Sequence, residues 1–279
     1  MNEPVPLPGS GSGSTVTMPS LGLGVYQLRG EECFAACLAG LEAGYRHVDT
    51  AQLYGNEGEV GRAVGVGGVK REDLFLTTKV GQWDGDGEKM YESVSRSVMR
   101  IAGEKEGGYV DLILVHRPVA RWRDIWSVLG RFVREGRARA IGVSNFGIEA
   151  LEEMRKGCEG VLPCVNQIEL HPWCQQRELV AYCQQNGIVV QAYSPLARGQ
   201  RWTDPVLKEV VERGTVTPAK VLIRWSLQRG FVPLPKSAGV ERIRENGDVF
   251  WFELDEAEMD LLDGLDLGAA GALFPKNVS

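Results

Sequence analysis

The chain has 279 residues, 43% of them apolar and 24% charged, with a formal net charge of -6 at pH 7. It has neither the run of roughly 18 apolar residues that a membrane span needs nor the basic and apolar regions of a secretory signal, so we expect a cytoplasmic protein without a membrane segment. Lys and Arg form no blocks, which argues against a nucleic-acid surface, because phosphate neutralisation requires clustered cations.

The first segment in chain order is rich in Pro, Gly and Ser. Residues Gly9–Ser14 alternate Gly and Ser, a composition typical of flexible chain. We expect residues 1–14 to form either a flexible tail or the turn of a short hairpin between Val5–Leu7 and Thr15–Thr17. Residues 15–279 contain no low-complexity linker and are expected to form one domain.

From Met18 onward, short β-rich segments alternate with amphipathic helical ones. The predicted strands are Leu21–Val25, Tyr45–Asp49, Leu74–Val80, Val110–His116, Arg139–Ser144, Cys164–Glu169, Ile188–Ser194 and Phe231–Lys236. Helical faces with apolar spacings of three and four are predicted at Phe34, Cys37, Leu38 and Leu41, at Met90, Val94, Val98 and Ile101, and at Ile125, Trp126, Leu129 and Phe132. Eight strand-helix repeats favour a parallel (β/α)8 TIM barrel.

An open doubly wound sheet fits the sequence less well because its glycine fingerprint is missing. Gly22 and Gly24 are not followed by the third glycine of G-x-G-x-x-G, and the glycine-rich residues Gly61–Lys70 contain no G-K-[ST]. We interpret both stretches as turns and helix ends.

Ionisable side chains lie at the predicted C-terminal ends of three neighbouring strands, where barrel enzymes place their chemistry. They are Asp49 with the nearby Tyr54, then Lys79, then His116. Each has an ordinary structural explanation, as a helix cap, a solvated strand end or a core histidine. Their coincidence at one rim favours a catalytic site.

Several motifs occur along the chain in an order and at spacings typical of one enzyme family. They are Leu21-Gly22-Leu23-Gly24, Gly44 to Ala51 with Tyr54-Gly55-Asn56-Glu57, Thr77-Thr78-Lys79, Asp111 to His116 with Pro118, Gly142 to Phe146, Asn166-Gln167 with His171-Pro172, Ala192 to Leu196, and Pro235-Lys236-Ser237. Through these motifs the sequence resembles the aldo-keto reductase family from Leu21 to about Phe252. A single motif would mean little, but the ordered set is specific.

The resemblance implies that Asp49, Tyr54, Lys79 and His116 are the four catalytic residues. Carbonyl reduction places negative charge on oxygen, which a general acid must protonate. Tyr54 is the implied acid, with Lys79 lowering its pKa and Asp49 holding Lys79. Neutral His116 would orient the carbonyl. No metal is expected, since the three histidines lack a zinc-site arrangement, and the six cysteines are interpreted as buried or semi-buried thiols.

The resemblance also implies NADPH/NADP+ as the cofactor, bound without a Rossmann domain. Ser144, Asn145 and Gln167 would bind the nicotinamide carboxamide, Tyr193 would stack on its ring, and Ser194 and Leu196 belong to the same cofactor segment. The adenosine-phosphate end matches Lys236, Ser237, Arg242, Glu245 and Asn246. Cations beside a helix that begins near Val240 suit a 2′-phosphate, which favours NADPH over NADH.

The expected substrate pocket contains Tyr26, Trp83, His116, Arg117 and Trp173. The sequence departs from the family where His-Trp-Pro is usual, because it reads His116-Arg117-Pro118. One hypothesis is that Arg117 points into the pocket and favours polar or carboxylate-bearing carbonyl substrates; the alternative is an arginine turned to solvent or paired with a loop acid. Residues Gly268–Ser279 are expected either to cover the site partly or to be disordered.

The sequence thus predicts a monomeric NADPH-dependent reductase of small carbonyl compounds. One alternative is a non-catalytic NADP(H)-binding regulatory subunit of the same fold. Another is a barrel hydrolase or lyase with Asp49 and Glu57 as paired carboxylates, which would leave Lys79, His116 and Lys236 unexplained.

Overall fold

The computed structural model of the protein describes residues 4–8, 16–83, 85–103, 107–158, 163–214 and 216–278. The predicted turn at Gly9–Ser14 lies outside these residues. No helix in the described ranges is both long and apolar enough to cross a membrane.

Eight parallel strands pair in chain order to form a barrel. They are β3 (Leu23–Gly24), β4 (His47–Asp49), β5 (Phe75–Val80), β6 (Val110–Val115), β7 (Ala138–Ser144), β8 (Val165–Glu169), β9 (Val189–Tyr193) and β10 (Val232–Leu234). Two backbone hydrogen bonds close the circle between the first and last of these strands, from Gly22 N to Pro233 O at 3.1 Å and from Gly24 N to Pro235 O at 3.0 Å. The predicted TIM barrel is confirmed.

Helices surround the barrel and connect its strands. They are α1 (Gly30–Glu42), α2 (Glu57–Val66), α3 (Gly87–Ala102), α4 (Trp122–Arg134), α5 (Ile148–Gly157), α6 (Arg177–Gln185), α7 (Pro205–Gly214), α8 (Pro218–Gln228), α9 (Val240–Gly247) and α10 (Glu256–Asp263). The predicted apolar faces of α3 and α4 are buried in the core, and that of α1 is buried at Cys37 and Leu41 and partly buried at Phe34 and Leu38.

Some strands are shorter than the sequence predicts. The eighth barrel strand, β10, ends at Leu234, two residues before the predicted Lys236. Pro235 follows it and lacks the N–H that a continued ladder would need. Apart from the hydrogen bond that the Pro235 carbonyl oxygen accepts from Gly24 N, the chain leaves the sheet there and begins the loop that contains Lys236.

An antiparallel hairpin of β1 (Pro4–Leu7) and β2 (Val16–Pro19) precedes the barrel, which confirms the hairpin interpretation. Its buried residues Leu7, Val16 and Met18 pack against side chains that include those of Phe75 and Val165, the first residues of β5 and β8. The hairpin therefore covers the N-terminal ends of the strands and leaves the C-terminal ends open.

Candidate active site

The four residues predicted to be catalytic meet at the C-terminal rim of the barrel. Asp49 ends β4, Lys79 is the next-to-last residue of β5, and His116 directly follows β6. Tyr54 lies in a short 3-10 helix, Gln52–Tyr54, just after β4. The register of parallel strands brings these side chains to one place.

Lys79 is the centre of the cluster and is fully buried. Its Nζ donates hydrogen bonds to Asp49 Oδ1 at 2.5 Å, to the Thr50 carbonyl oxygen at 3.0 Å and to the Tyr54 hydroxyl at 3.1 Å. A buried ammonium is stable only when it is paired and hydrogen-bonded, and here all three protons have an acceptor.

Electrostatics keep Lys79 charged and Tyr54 neutral. Burial acts to lower the pKa of Lys79, but the charge of Asp49 and the hydrogen bonds to Asp49 and Tyr54 outweigh it and raise that pKa. Burial raises the pKa of Tyr54, the nearby Lys79 lowers it, and Asp49 raises it, with a net rise. Lys79 therefore lowers the pKa of Tyr54, as predicted, but burial outweighs this effect and the pKa rises overall. Tyr54 is a protonated phenol at neutral pH and can act as a proton donor.

His116 lies beside Tyr54, with ring centroids 5.8 Å apart in an edge-on arrangement. Burial, followed by the charges of Lys79 and Arg117, lowers the pKa of His116 to about 3. The ring is therefore neutral at physiological pH and has one N–H donor. Gly81 packs directly against the His116 side chain, because a Cβ atom at position 81 would lie only 3.0 Å from the His116 Cβ.

A cavity of about 930 Å³ opens above the cluster. Its volume is at the upper end of the range typical of small-molecule sites. The lining residues predicted for catalysis or cofactor binding are Asp49, Tyr54, His116, Ser144, Asn145, Gln167, Tyr193, Ser194, Leu196, Lys236, Ser237, Arg242, Glu245 and Asn246. Lys79 lies beneath the Tyr54 hydroxyl.

Hydrogen bonds fix the residues predicted to bind the nicotinamide carboxamide. The Asn145 amide group donates to His116 O at 3.1 Å and accepts from Tyr193 OH at 2.9 Å. Gln167 Nε2 donates to Asp49 Oδ2 at 2.9 Å and to Gln191 Oε1 at 2.8 Å. Asn145 has the left-handed φ of 60°, which is uncommon outside glycine and typical of functional positions.

Cations lie at the part of the cavity next to α9. The exposed side chains of Lys236 and Arg242 form no ion pair with any residue in the described ranges. Arg242 Nε donates to the buried Ser237 hydroxyl at 3.0 Å, which also accepts from Gly239 N at the start of α9. Two unpaired cations and a helix N-terminus form a suitable anion site.

Comparisons with known proteins agree with this geometry. The model of the family described as Aldo/keto reductase family matches residues 20–267. The chain belongs to the aldo-keto reductase family.

Individual members of the family are similar over nearly their full length. The glyoxal reductase of Bacillus subtilis is 41% identical over 90% of this chain and 90% of its own. An aldo-keto reductase of Mycolicibacterium vanbaalenii is 44% identical, again over 90% of each chain. The crystal structure of an aldo/keto reductase from Brucella melitensis superposes with a TM-score of 0.88 at 37% identity, over 95% of this chain and 100% of the other.

The residues predicted for the substrate pocket of this aldo-keto reductase do not all line the same cavity. Tyr26, His116 and Arg117 line the main cavity. Trp83 lines an adjoining cleft instead. Trp173 is not among the residues that line the main cavity: it is buried, and its indole N–H donates to Asp204 at 3.0 Å. The structure therefore places the Trp173 ring in the core rather than at the wall of the main cavity.

Sequence reasoning missed much of the rim of the cavity. Leu53 and Trp202 line it and are 72% and 37% exposed, which is unusual for large apolar side chains. Leu53 lies between predicted catalytic residues, and Trp202 lies in the long segment after β9, where the barrel rule would direct attention. Phe274 and Asn277 also line the cavity, so the C-terminal segment covers the site in part, as one of the two expectations held.

Proposed function

We propose that this aldo-keto reductase uses NADPH to reduce aldehyde or ketone groups of small molecules to alcohols, with Tyr54 as the general acid. The observation that carries the proposal is the Asp49–Lys79–Tyr54 chain of hydrogen bonds, which places a neutral phenol on a buried, charged ammonium at the wall of the cavity. The unpaired cations in the same cavity support a multiply anionic cofactor.

The reduced nicotinamide, when bound, supplies the hydride that adds to the carbonyl carbon. Tyr54 donates its proton to the carbonyl oxygen as negative charge develops there, and Lys79, 3.1 Å from the phenol oxygen, stabilises the resulting phenolate. Asp49 balances the charge of Lys79. The neutral ring of His116 donates a hydrogen bond that orients the substrate oxygen.

The side chains at the cavity wall fit the cofactor. Both amide protons of Gln167 and of Asn145 are already donated within the protein, whereas the Gln167 Oε1 and the Ser144 hydroxyl oxygen can accept hydrogen bonds. Acceptors of this kind suit the N–H groups of a carboxamide, and Tyr193 would stack on its ring. Ser194 and Leu196 would flank the cofactor.

At the other end, Lys236, Ser237 and Arg242 would bind the 2′-phosphate, and Glu245 and Asn246 would contact the adenosine. The cytoplasmic location and the monomeric state stay predictions from the sequence.

The decisive experiment follows NADPH oxidation at 340 nm with aldehydes, ketones and oxo acids, for the native protein and Tyr54→Phe. Small dicarbonyl compounds belong in the panel because of the similarity to a glyoxal reductase. We expect turnover by the native protein and a loss of about 100-fold or more in kcat for Tyr54→Phe, since general acid catalysis contributes about 10² to 10⁴. Equal activity of the variant would refute the assignment of Tyr54. Cofactor binding without turnover of any carbonyl would instead favour a non-catalytic NADP(H)-binding subunit.

A second arm of this experiment compares the affinities for NADPH and NADH. Arg242→Ala should weaken NADPH binding by about tenfold and leave NADH binding nearly unchanged, because only NADPH has the 2′-phosphate. Arg244→Ala is the matched control: Arg244 lies on the same helix but does not line the cavity and is within 3.8 Å of Glu42. Equal affinities of the native protein for both cofactors would contradict the phosphate site.

A further inference from the structure

A second cleft of about 440 Å³ adjoins the main cavity. Gly81, Gln82 and Arg117 line both, so the two spaces meet beside His116. The other residues of this side cleft are Trp83, Val119, Ala120 and Arg121. Among the residues that the structure describes, none of those lining the side cleft is acidic, and two are arginines.

The two arginines of the side cleft differ in their partners. Arg121 forms an ion pair with Asp124 at 2.5 Å, and its guanidinium lies 5.3 Å from the centre of the Trp83 ring. Arg117 is exposed and makes no side-chain hydrogen bond or ion pair with any residue that the structure describes. The guanidinium at the junction of the two spaces is therefore available to a ligand.

The charge of Arg117 acts at the catalytic centre. It is one of the two cations that lower the pKa of His116, the other being Lys79. Asp49 compensates Lys79, whereas no carboxylate of the described residues compensates Arg117. A neutral substrate would leave the positive charge of Arg117 without a counter-ion. A carboxylate could compensate it with a bidentate pair of hydrogen bonds, a geometry that guanidinium provides and ammonium does not.

We propose that Arg117 binds the carboxylate of an oxo acid whose carbonyl group is reduced at Tyr54 and His116. The apolar surfaces of Trp83 and Val119 line the side cleft, into which the part of the substrate that bears the carboxylate extends. Arg117 is thus a specificity-determining residue. This inference rests on the proposed carbonyl reduction and adds the class of substrate.

The test compares 2-, 3- and 4-carboxybenzaldehyde with their methyl esters, which share the reacting aldehyde but lack the charge. The three isomers vary the distance between carboxylate and carbonyl. The readout is the acid-to-ester ratio of kcat/KM. In the native protein we expect at least one isomer with a ratio above one, and Arg117→Leu should lower that ratio by about tenfold, as expected for one charge-assisted pair near solvent.

Arg123→Leu is the matched control, because it removes an arginine of α4 that lines neither the main cavity nor the side cleft and is paired with Glu153 at 3.3 Å. Its ratio should stay within about twofold of the native one, and Arg117→Lys should fall between the native protein and Arg117→Leu. Thermal melting verifies that each variant folds. The proposal is overturned if Arg117→Leu keeps the native ratio or if Arg123→Leu loses as much.

Absence of turnover with every acid and ester would refute the proposed reduction, and the carboxylate site is then decided by binding. Calorimetric titration of the native protein and of Arg117→Leu with 3-carboxybenzaldehyde and its ester serves this purpose. About tenfold weaker binding of the acid alone to Arg117→Leu supports the site. Equal binding of the acid to both proteins overturns it.

Discussion

The protonation states of three side chains determine what the catalytic cluster can do. Lys79 stays charged because Asp49 and Tyr54 compensate its burial, and Tyr54 stays neutral because burial outweighs the pull of Lys79. His116 stays neutral because of its burial and its cationic neighbours. The resting site therefore contains one proton donor of phenolic type and one neutral imidazole, which suits reduction of a carbonyl rather than hydrolysis.

The pH dependence of the reaction tests the state of His116. With its pKa lowered to about 3, His116 does not titrate between pH 5.5 and 8.5, so kcat/KM for carbonyl reduction should show no inflection near 6.5, the usual histidine value. His116→Gln should lower kcat/KM by about 10-fold or more and leave the profile equally flat. An inflection near pH 6.5 that disappears in His116→Gln would contradict this account.

The sequence predicts the positions of the catalytic residues better than it predicts their protonation states or the orientations of the side chains assigned to the substrate pocket. The ends of β4, β5 and β6 could be located from their apolar runs, and the barrel rule then places Asp49, Lys79 and His116 together. The balance of burial against charge at Tyr54 depends on packing, which a sequence does not contain. The same is true of Trp173, whose ring is buried in the core and donates a hydrogen bond to Asp204.

At the scale of elements, Glu169 connects the end of β8 to the C-terminal segment. Its buried carboxylate accepts hydrogen bonds from Leu273 N at 2.5 Å, from Phe274 N at 2.9 Å and from His171 Nε2 at 3.0 Å. Beyond this point Asn277 Nδ2 donates to Tyr193 OH at 3.1 Å. The Glu169 carboxylate and the Tyr193 hydroxyl thus both hold the segment that supplies part of the cavity wall.

Replacing Glu169 with Gln should loosen this segment. The amide offers one oxygen instead of two and directs an NH2 group at backbone donors, so we expect a loss of about 1 to 3 kcal/mol in unfolding free energy. Amide hydrogen exchange at residues 273–278 should accelerate, and KM for carbonyl substrates should rise. Glu178→Gln is the control, since Glu178 lies on α6 and is exposed. Unchanged exchange in Glu169→Gln would show that the segment is held by other contacts.

The glycine-rich stretch Gly61–Lys70 shows a limit of predicting helix boundaries from the sequence. The sequence interpretation of Gly61–Lys70 as turns and helix ends is wrong for Gly61, which lies inside α2. A Cβ at this position would lie 1.9 Å from the Arg100 carbonyl oxygen of α3, so glycine permits close packing of two helices. Helix contacts of this kind join distant parts of the chain and leave no local pattern.

For the whole molecule, the net charge of -6 conceals a local excess of cations at the site. Lys236 and Arg242 line one end of the cavity and Arg117 the other, while Asp49 is bound to Lys79. An acidic protein can therefore bind an anionic cofactor. The sequence indicates the cations near Lys236, but the position of Arg117 at the wall of the same cavity depends on the closed barrel.

Stability should decrease as the solution becomes acidic, because two histidines are buried in neutral form. Burial, and then the charge of Lys79, lowers the pKa of His47 to about 3, and His116 has a similar value. Between pH 6.5 and 3 the unfolded chain binds protons at these residues that the folded protein does not, so stability is lost as pH falls below 6.5. Each histidine contributes a slope of about 1.4 kcal/mol per pH unit.

Urea unfolding between pH 7 and pH 5 measures this slope, above the range in which most carboxylates titrate. We expect the native protein to lose about 2 to 3 kcal/mol per pH unit below pH 6, and His116→Gln to halve that slope, whatever its stability at pH 7. His47→Gln should have the same effect on the slope, although it also removes the hydrogen bond between His47 and Thr77. If the slope persists when both histidines are replaced, other groups bind the protons, and the two rings are not held neutral by their burial.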